Sequence, residues 1–174
     1  RTAFARALGA RPASVRRELP FILTEAGEGG VAVRLRGQID LLVEDEDGVT
    51  VIDYKHARRG DPDDYRFQLD SYALAARRLF PSARRIRTGL AFLRESDPTP
   101  HIEERRPDET EAFARQVAEL GAGLARARAE GRWEGRPVEV CRAIGCGYRA
   151  RCHPSSTAAM EEAEVPAMAR EGRG

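Results

Sequence analysis

Residues 37–55 read GQIDLLVEDEDGVTVIDYK. Two apolar runs, 39–43 and 49–54, flank an acidic stretch that ends in Asp47-Gly48. Asp-Gly between strand-like runs is a strong two-residue hairpin signal. The pattern predicts strands over 31–44 and 49–55. With Asp47-Gly48 as the loop, Glu46 pairs with Val49. Val43 then lies opposite Ile52, Leu42 opposite Asp53, Leu41 opposite Tyr54, and Asp40 opposite Lys55. Side chains alternate faces along a strand. One face therefore carries Ile39, Leu41, Val43, Ile52 and Tyr54, a core face. The other gathers Asp40, Asp53 and Lys55. Cross-strand neighbours lie about 5 Å apart and diagonals about 7 Å.

Outward from this hairpin, the residues predict a strand over 15–23 after a helical lead-in, and a turn at 27–30. A polar loop (57–64) precedes a helix over 65–80, with Phe67, Tyr72, Ala76, Leu79 and Phe80 as its apolar stripe. Pro81 stops it. Strands are expected at 86–93 and 101–105, a long helix at 109–130, and a linker at 131–137. This order suggests an α/β domain with a mixed central β-sheet flanked by helices. The expected domain is 1–154, with 138–154 a cysteine-bearing segment and 155–174 a disordered tail. The chain opens without Met inside a helix-like pattern (1–10), and reads as a fragment of a longer protein.

The 174 residues are 41% hydrophobic and 33% charged, which excludes a disordered chain. No run approaches the roughly 18 apolar residues of a membrane span, and no secretory leader is visible. A cytoplasmic protein is expected. The net charge of +1 gives no general affinity for nucleic acid, so such a partner must be argued from a site. Among 29 basic residues there is one lysine, Lys55, and there is no asparagine. In a composition where arginine serves as the general cation, the retained lysine points to chemistry that needs a compact ammonium or a removable proton. Chance survival of one lysine is the alternative.

Two neighbouring carboxylates either raise a pKa or bind a cation. Oxygen ligands with few protein contacts suit Mg²⁺. A lysine beside them can orient water or offset charge on phosphorus. Against this stands an ordinary surface ion-pair cluster, common and of little energetic consequence.

The elements Gly37-Gln38-Ile39-Asp40-Leu41-Leu42, Val51-Ile52-Asp53-Tyr54-Lys55 and Gln68-Leu69-Asp70-Ser71-Tyr72 together resemble the PD-(D/E)xK nucleases. More narrowly they are similar to the nuclease domain at the C-terminal end of bacterial RecB- and AddA-type helicase-nucleases. Arg17-Glu18-Leu19-Pro20-Phe21 matches the strand that precedes the first Asp there. The resemblance implies a restriction-endonuclease-like core and a Mg²⁺- or Mn²⁺-dependent deoxyribonuclease, acting as an exonuclease in double-strand break repair. Its partners would be DNA, a helicase domain on the same polypeptide and a second helicase-nuclease subunit. Asp40, Asp53 and the Tyr54 carbonyl would be metal ligands, and Lys55 the catalytic lysine. Glu18 would lie close to the metal. Gln68 and Tyr72, at i, i+4 spacing on one helical face, would orient the site or touch the DNA backbone; Tyr72 reads equally well as helix core. Relatives carry a metal-binding His on an upstream helix. No His precedes Glu18, and His56, His101 and His153 lie elsewhere. His56 reads as a solvent-facing loop residue. The rivals are a catalytically weak nuclease fold that binds DNA or assembles subunits, and a stand-alone or CRISPR-associated nuclease.

Cys141, Cys146 and Cys152 fall within twelve residues and are followed by His153. Such clustering points to metal rather than to disulfides. The resemblance implies a [4Fe–4S] cluster, though the upstream cysteine is missing and the first gap is long. Zinc held by the cysteines and His153, or three free thiols, are the alternatives. Arg58, Arg59, Arg142, Arg149 and Arg151, with Tyr148, are candidate phosphate contacts or plain surface.

Overall fold

The computed structural model describes residues 14–133 and 135–153. The helical lead-in and the tail expected from 155 lie outside the described residues. Five strands form one sheet in the order β1 (Ser14–Ala26), β2 (Ala32–Glu44), β3 (Gly48–Lys55), β4 (Arg85–Phe92), β5 (His101–Arg105). β3 and β4 are parallel and the other pairs antiparallel. A parallel pair needs a crossover, supplied by helix α1 (Arg66–Leu79). Helix α2 (Pro107–Glu130) follows β5; of two short helices, α3 (Val138–Ala143) carries Cys141 and α4 (Arg149–Cys152) carries Cys152, with Cys146 between them. The mixed sheet with flanking helices is the expected α/β class. Contacts divide the chain into two compact units, with the boundary after Ala125. Among the described residues, no helix is long and apolar enough to cross a membrane.

β3 is buried on both faces, as a central strand should be. On one face Val49 and Val51 join Leu42, Ile39, Phe21 and Ala73, Leu74, Ala75 and Ala76 of α1, closed by Phe113, Ala114 and Val117 of α2. On the other, Ile52 packs with Leu41, Val43 and Ala91, flanked by Tyr54 and Ile102. The single core face expected for the hairpin is thus corrected twice. Both faces are core, and Ile39 belongs with the helix-side cluster. Strict alternation breaks at Asp40. The β1–β2 ladder pairs Arg17 with Leu41 and Leu19 with Ile39 but skips Glu18 and Asp40. Glu18 has φ 51°, the one positive value at a non-glycine among the described residues. The break lets residues 39 and 42 share a face.

The hairpin register also differs from the expectation by two residues. Glu44 pairs with Val49, Val43 with Thr50, Leu42 with Val51, and Leu41 with Ile52. Asp45 and Gly48 close the turn through their backbones. Asp45 Oδ1 accepts from the amides of Asp47 and Gly48, both at 2.9 Å. An aspartate satisfying its own turn this way moves the loop to Glu46-Asp47. Gly48 is needed just after it, because a Cβ there would sit 2.1 Å from the Arg85 carbonyl oxygen of β4. A two-residue slip keeps every side chain on its face but changes which residues are opposite.

The helix stripe is rotated too. Leu69, Tyr72, Ala73 and Ala76 are buried, whereas Phe67 and Leu79 of the expected stripe are about half exposed.

Candidate active site

The β2–β3 ladder ends at Leu41 and Ile52. One step on, the Tyr54 amide donates to Asp40 Oδ2 at 2.8 Å. Asp40 therefore caps the end of the ladder with its side chain. It does not sit opposite Lys55, and the ion pair that forms is between Lys55 and Asp53, Nζ to Oδ2 at 2.8 Å.

Asp53 and Lys55 lie at the C-terminal end of β3, on the face that α1 covers. Gln68 of α1 joins them: Lys55 Nζ donates to Gln68 Oε1 at 2.7 Å, and Gln68 Nε2 donates to Asp53 Oδ1 at 2.9 Å and to the Tyr72 hydroxyl at 2.8 Å. The reversed amide would set an NH₂ against an ammonium, so the network fixes the Gln68 orientation. The Tyr72 hydroxyl donates to Asp53 Oδ1 at 3.3 Å. Tyr72 is both readings at once: buried helix core, edge-on to Phe21 at 6.2 Å, and a hydrogen-bond partner of Asp53. Tyr65 closes the last side, with Lys55 Nζ 4.8 Å from its ring centroid.

Asp53 is 2% exposed, so this is no surface ion-pair cluster. Burial pushes its carboxyl above the usual pKa; the Lys55 ammonium pulls it down, and the charge of Asp40 pushes it further up. Burial, with the charges of Asp53 and Asp40, pushes the Tyr72 phenol up to about 12, so Tyr72 stays a donor at neutral pH. Asp53 Oδ2 is buried and takes no well-directed hydrogen bond, although the Lys55 ammonium is close. A buried carboxylate oxygen with unused lone pairs, next to a second carboxylate, suits a divalent cation. The donor set fits Mg²⁺ or Mn²⁺.

Glu18 is exposed, and its carboxylate accepts from Gln38 Nε2 across the β1–β2 ladder. It stands beside Asp40 at the skipped ladder position without joining the hydrogen-bonded cluster. His56 is exposed, as expected of a loop residue. The sequence reading missed Tyr65 as the neighbour of Lys55; an aromatic at the start of α1 was the available signal.

Cys141 is buried, Cys146 half-buried and Cys152 exposed, and all three are free thiols. Cys141 Sγ lies 3.9 Å from His153 Nε2. Among the described residues, no group of three or more His, Cys, Asp or Glu side chains is arranged to hold a metal ion.

No curated protein matches the chain. Solved structures do match; one, described as the crystal structure of SSO0001, has a TM-score of 0.43 and 16% identity. That match covers 78% of this chain and 61% of the other. The family model for the PD-(D/E)XK nuclease superfamily matches residues 2–153, taking in all five strands and the Asp53–Lys55–Gln68–Tyr72 network, and the chain belongs to that superfamily.

Proposed function

We propose that the chain is the metal-dependent deoxyribonuclease module of a RecB/AddA-like helicase-nuclease, acting on broken duplex DNA. Membership of a nuclease superfamily implies phosphodiester hydrolysis in general. The observation that carries the metal-dependent reading is the buried Asp53 Oδ2, ion-paired to the chain's one lysine but without a well-directed hydrogen bond, with the charge of Asp40 beside it. The helicase setting rests on the order and spacing of the motifs around Asp40, Asp53, Lys55, Gln68 and Tyr72.

Asp40, Asp53 and the Tyr54 carbonyl would hold Mg²⁺ or Mn²⁺. An ion bound there supplies Lewis-acid chemistry, making water more acidic and offsetting charge on the phosphodiester. The chain's own residues do the rest. Asp53 Oδ1 is held by Gln68 and Tyr72 and Oδ2 faces Lys55, so the carboxylate has one orientation. Lys55, fixed between Asp53 and Gln68, presents a compact positive charge where negative charge builds on phosphorus in an in-line displacement. Gln68 keeps Lys55 and Asp53 in register with each other. Burial of the network means little reorganisation as charge develops.

Lys55→Ala tests this. Degradation of linear DNA with Mg²⁺ should fall by at least ~100-fold, the usual cost of removing one stabilising donor. If Lys55→Ala digests DNA at the wild-type rate, the mechanism is wrong.

A further inference from the structure

Next to the catalytic cluster lies a cavity of about 330 Å³ between α1, β4 and β5. Its floor is apolar: Leu69, Leu90 and Phe92, which pack together and are all buried. This floor is tied to the site by register. In the parallel β3–β4 ladder, Asp53 pairs with Leu90 and Lys55 with Phe92. Side chains so paired share a face and sit about 4.8 Å apart between strands. Leu69 follows Gln68 on α1, and Tyr65, which faces Lys55, meets Phe92 edge-on at 5.9 Å. The cavity thus begins one strand over from Asp53 and Lys55.

Its polar lining is three arginines with Thr88, His101 and one carboxylate, Glu103, so cations outnumber anions. Arg59 and Arg66 stand at the exposed rim, Arg66 in a surface ion pair with Asp63 at 3.0 Å. Arg105 is 8% exposed and lines the wall. Its Nε donates to Thr88 Oγ1 at 2.8 Å. Its terminal nitrogens face Asp70 and Glu103 only at 3.5 and 3.6 Å, longer than good hydrogen bonds. Glu103 is occupied with His101 as well, at 3.2 Å. A buried guanidinium with donors to spare, over an apolar floor, is suited to a flat heterocycle that carries carbonyl acceptors. The volume is at the lower end for small-ligand pockets, ~300–1,000 Å³, enough for one base with its sugar.

We propose that this cavity is a base-binding subsite, which takes one unstacked nucleobase of a single strand beside the phosphodiester at the catalytic cluster. The base lies on Leu69, Leu90 and Phe92, Arg105 donates to its edge, and Arg59 and Arg66 meet the flanking phosphates. Recognition by an apolar floor and arginine is tolerant of base identity. The inference rests on the nuclease reading, and it adds that the strand entering the site is single.

Abasic scanning of a single-stranded oligonucleotide reads the subsite. With Mg²⁺, removing the base at one position fixed relative to the cut bond should lower kcat/KM about tenfold, the scale of one lost base contact. Base removal elsewhere should have little effect. In Leu90→Trp, which fills the cavity, that penalty should largely vanish, whereas Arg66→Ala, which removes a phosphate contact, should weaken all substrates alike and keep it. A flat scan overturns the proposal, and so does a penalty that persists in Leu90→Trp. In EDTA, fluorescence anisotropy should find dT₁₂ bound about tenfold more tightly than a twelve-unit abasic strand, with the preference lost in Leu90→Trp and kept in Arg66→Ala. A chain that keeps this preference but cuts nothing has the subsite without the nuclease. A chain that cuts but scans flat has the nuclease without the subsite.

Discussion

Asp53 carries a raised pKa, and the direction of that shift has a measurable sign. In metal-free protein the folded state holds the Asp53 proton more tightly than the unfolded chain does. The stability this contributes is present below the ordinary value of 3.8 and is lost as pH rises through the raised one. Chemical denaturation in EDTA should register this as a falling limb that Asp53→Asn lacks. A divalent ion bound at Asp53 would take the proton's place at higher pH. Mg²⁺ at ten times its Kd should stabilise the wild type by about 1.4 kcal/mol, a Tm rise of about 3–6 °C, and should leave Asp53→Asn unmoved. An equal rise in the variant would remove Asp53 from the ligand set. At this scale the sequence was informative. Its one lysine sits where the ion pair forms, and Asp53, Gln68 and Tyr72 meet. Which carboxylate pairs with Lys55 was not legible, since that depends on a register set by the side chain of Asp45.

The hairpin and its neighbours position those groups through two close approaches. A Cβ on Gly37 would lie 2.5 Å from the Phe21 ring, and Phe21 in turn braces Tyr72, the partner of Asp53. A Cβ on Gly48 would meet the backbone of Arg85 at 2.1 Å. Gly48→Ala should cost about 3 kcal/mol in urea denaturation, because a strand backbone must move. Gly37→Ala should cost about 1–3 kcal/mol, as an overpacked ring does. It should also lower kcat, because the displaced ring leans on Tyr72; an unchanged kcat would uncouple Phe21 from the site. The five strands and two long helices were legible from apolar runs and turn residues. The helix face was not. Phe67 and Leu79 outrank alanine in hydrophobicity, yet the close approach of α1 to the sheet selects Ala73 and Ala76, and small residues signal close packing only once the partner surface is known.

Across the whole molecule, charge is nearly balanced at +1, so nucleic-acid affinity must come from a few local contacts. With Arg59, Arg66 and Lys55 as the phosphate-facing cations, log Kd for single-stranded DNA should change with log salt by only about 2, from ~0.7 per contact. A slope several times steeper would mean that a broader basic surface takes part. The cavity beside the cluster was invisible to the sequence reading, because Leu69, Leu90 and Arg105 come from three elements that converge only in the fold. The same scarcity that singles out Lys55 has a practical side. Reductive methylation with isotope-enriched formaldehyde modifies amines alone, so it marks one side chain, the one held between Asp53 and Gln68. The resulting NMR resonance, beside that of the terminal amine, would be a spectroscopic reporter seated at the candidate reaction centre, with no second side-chain signal to assign.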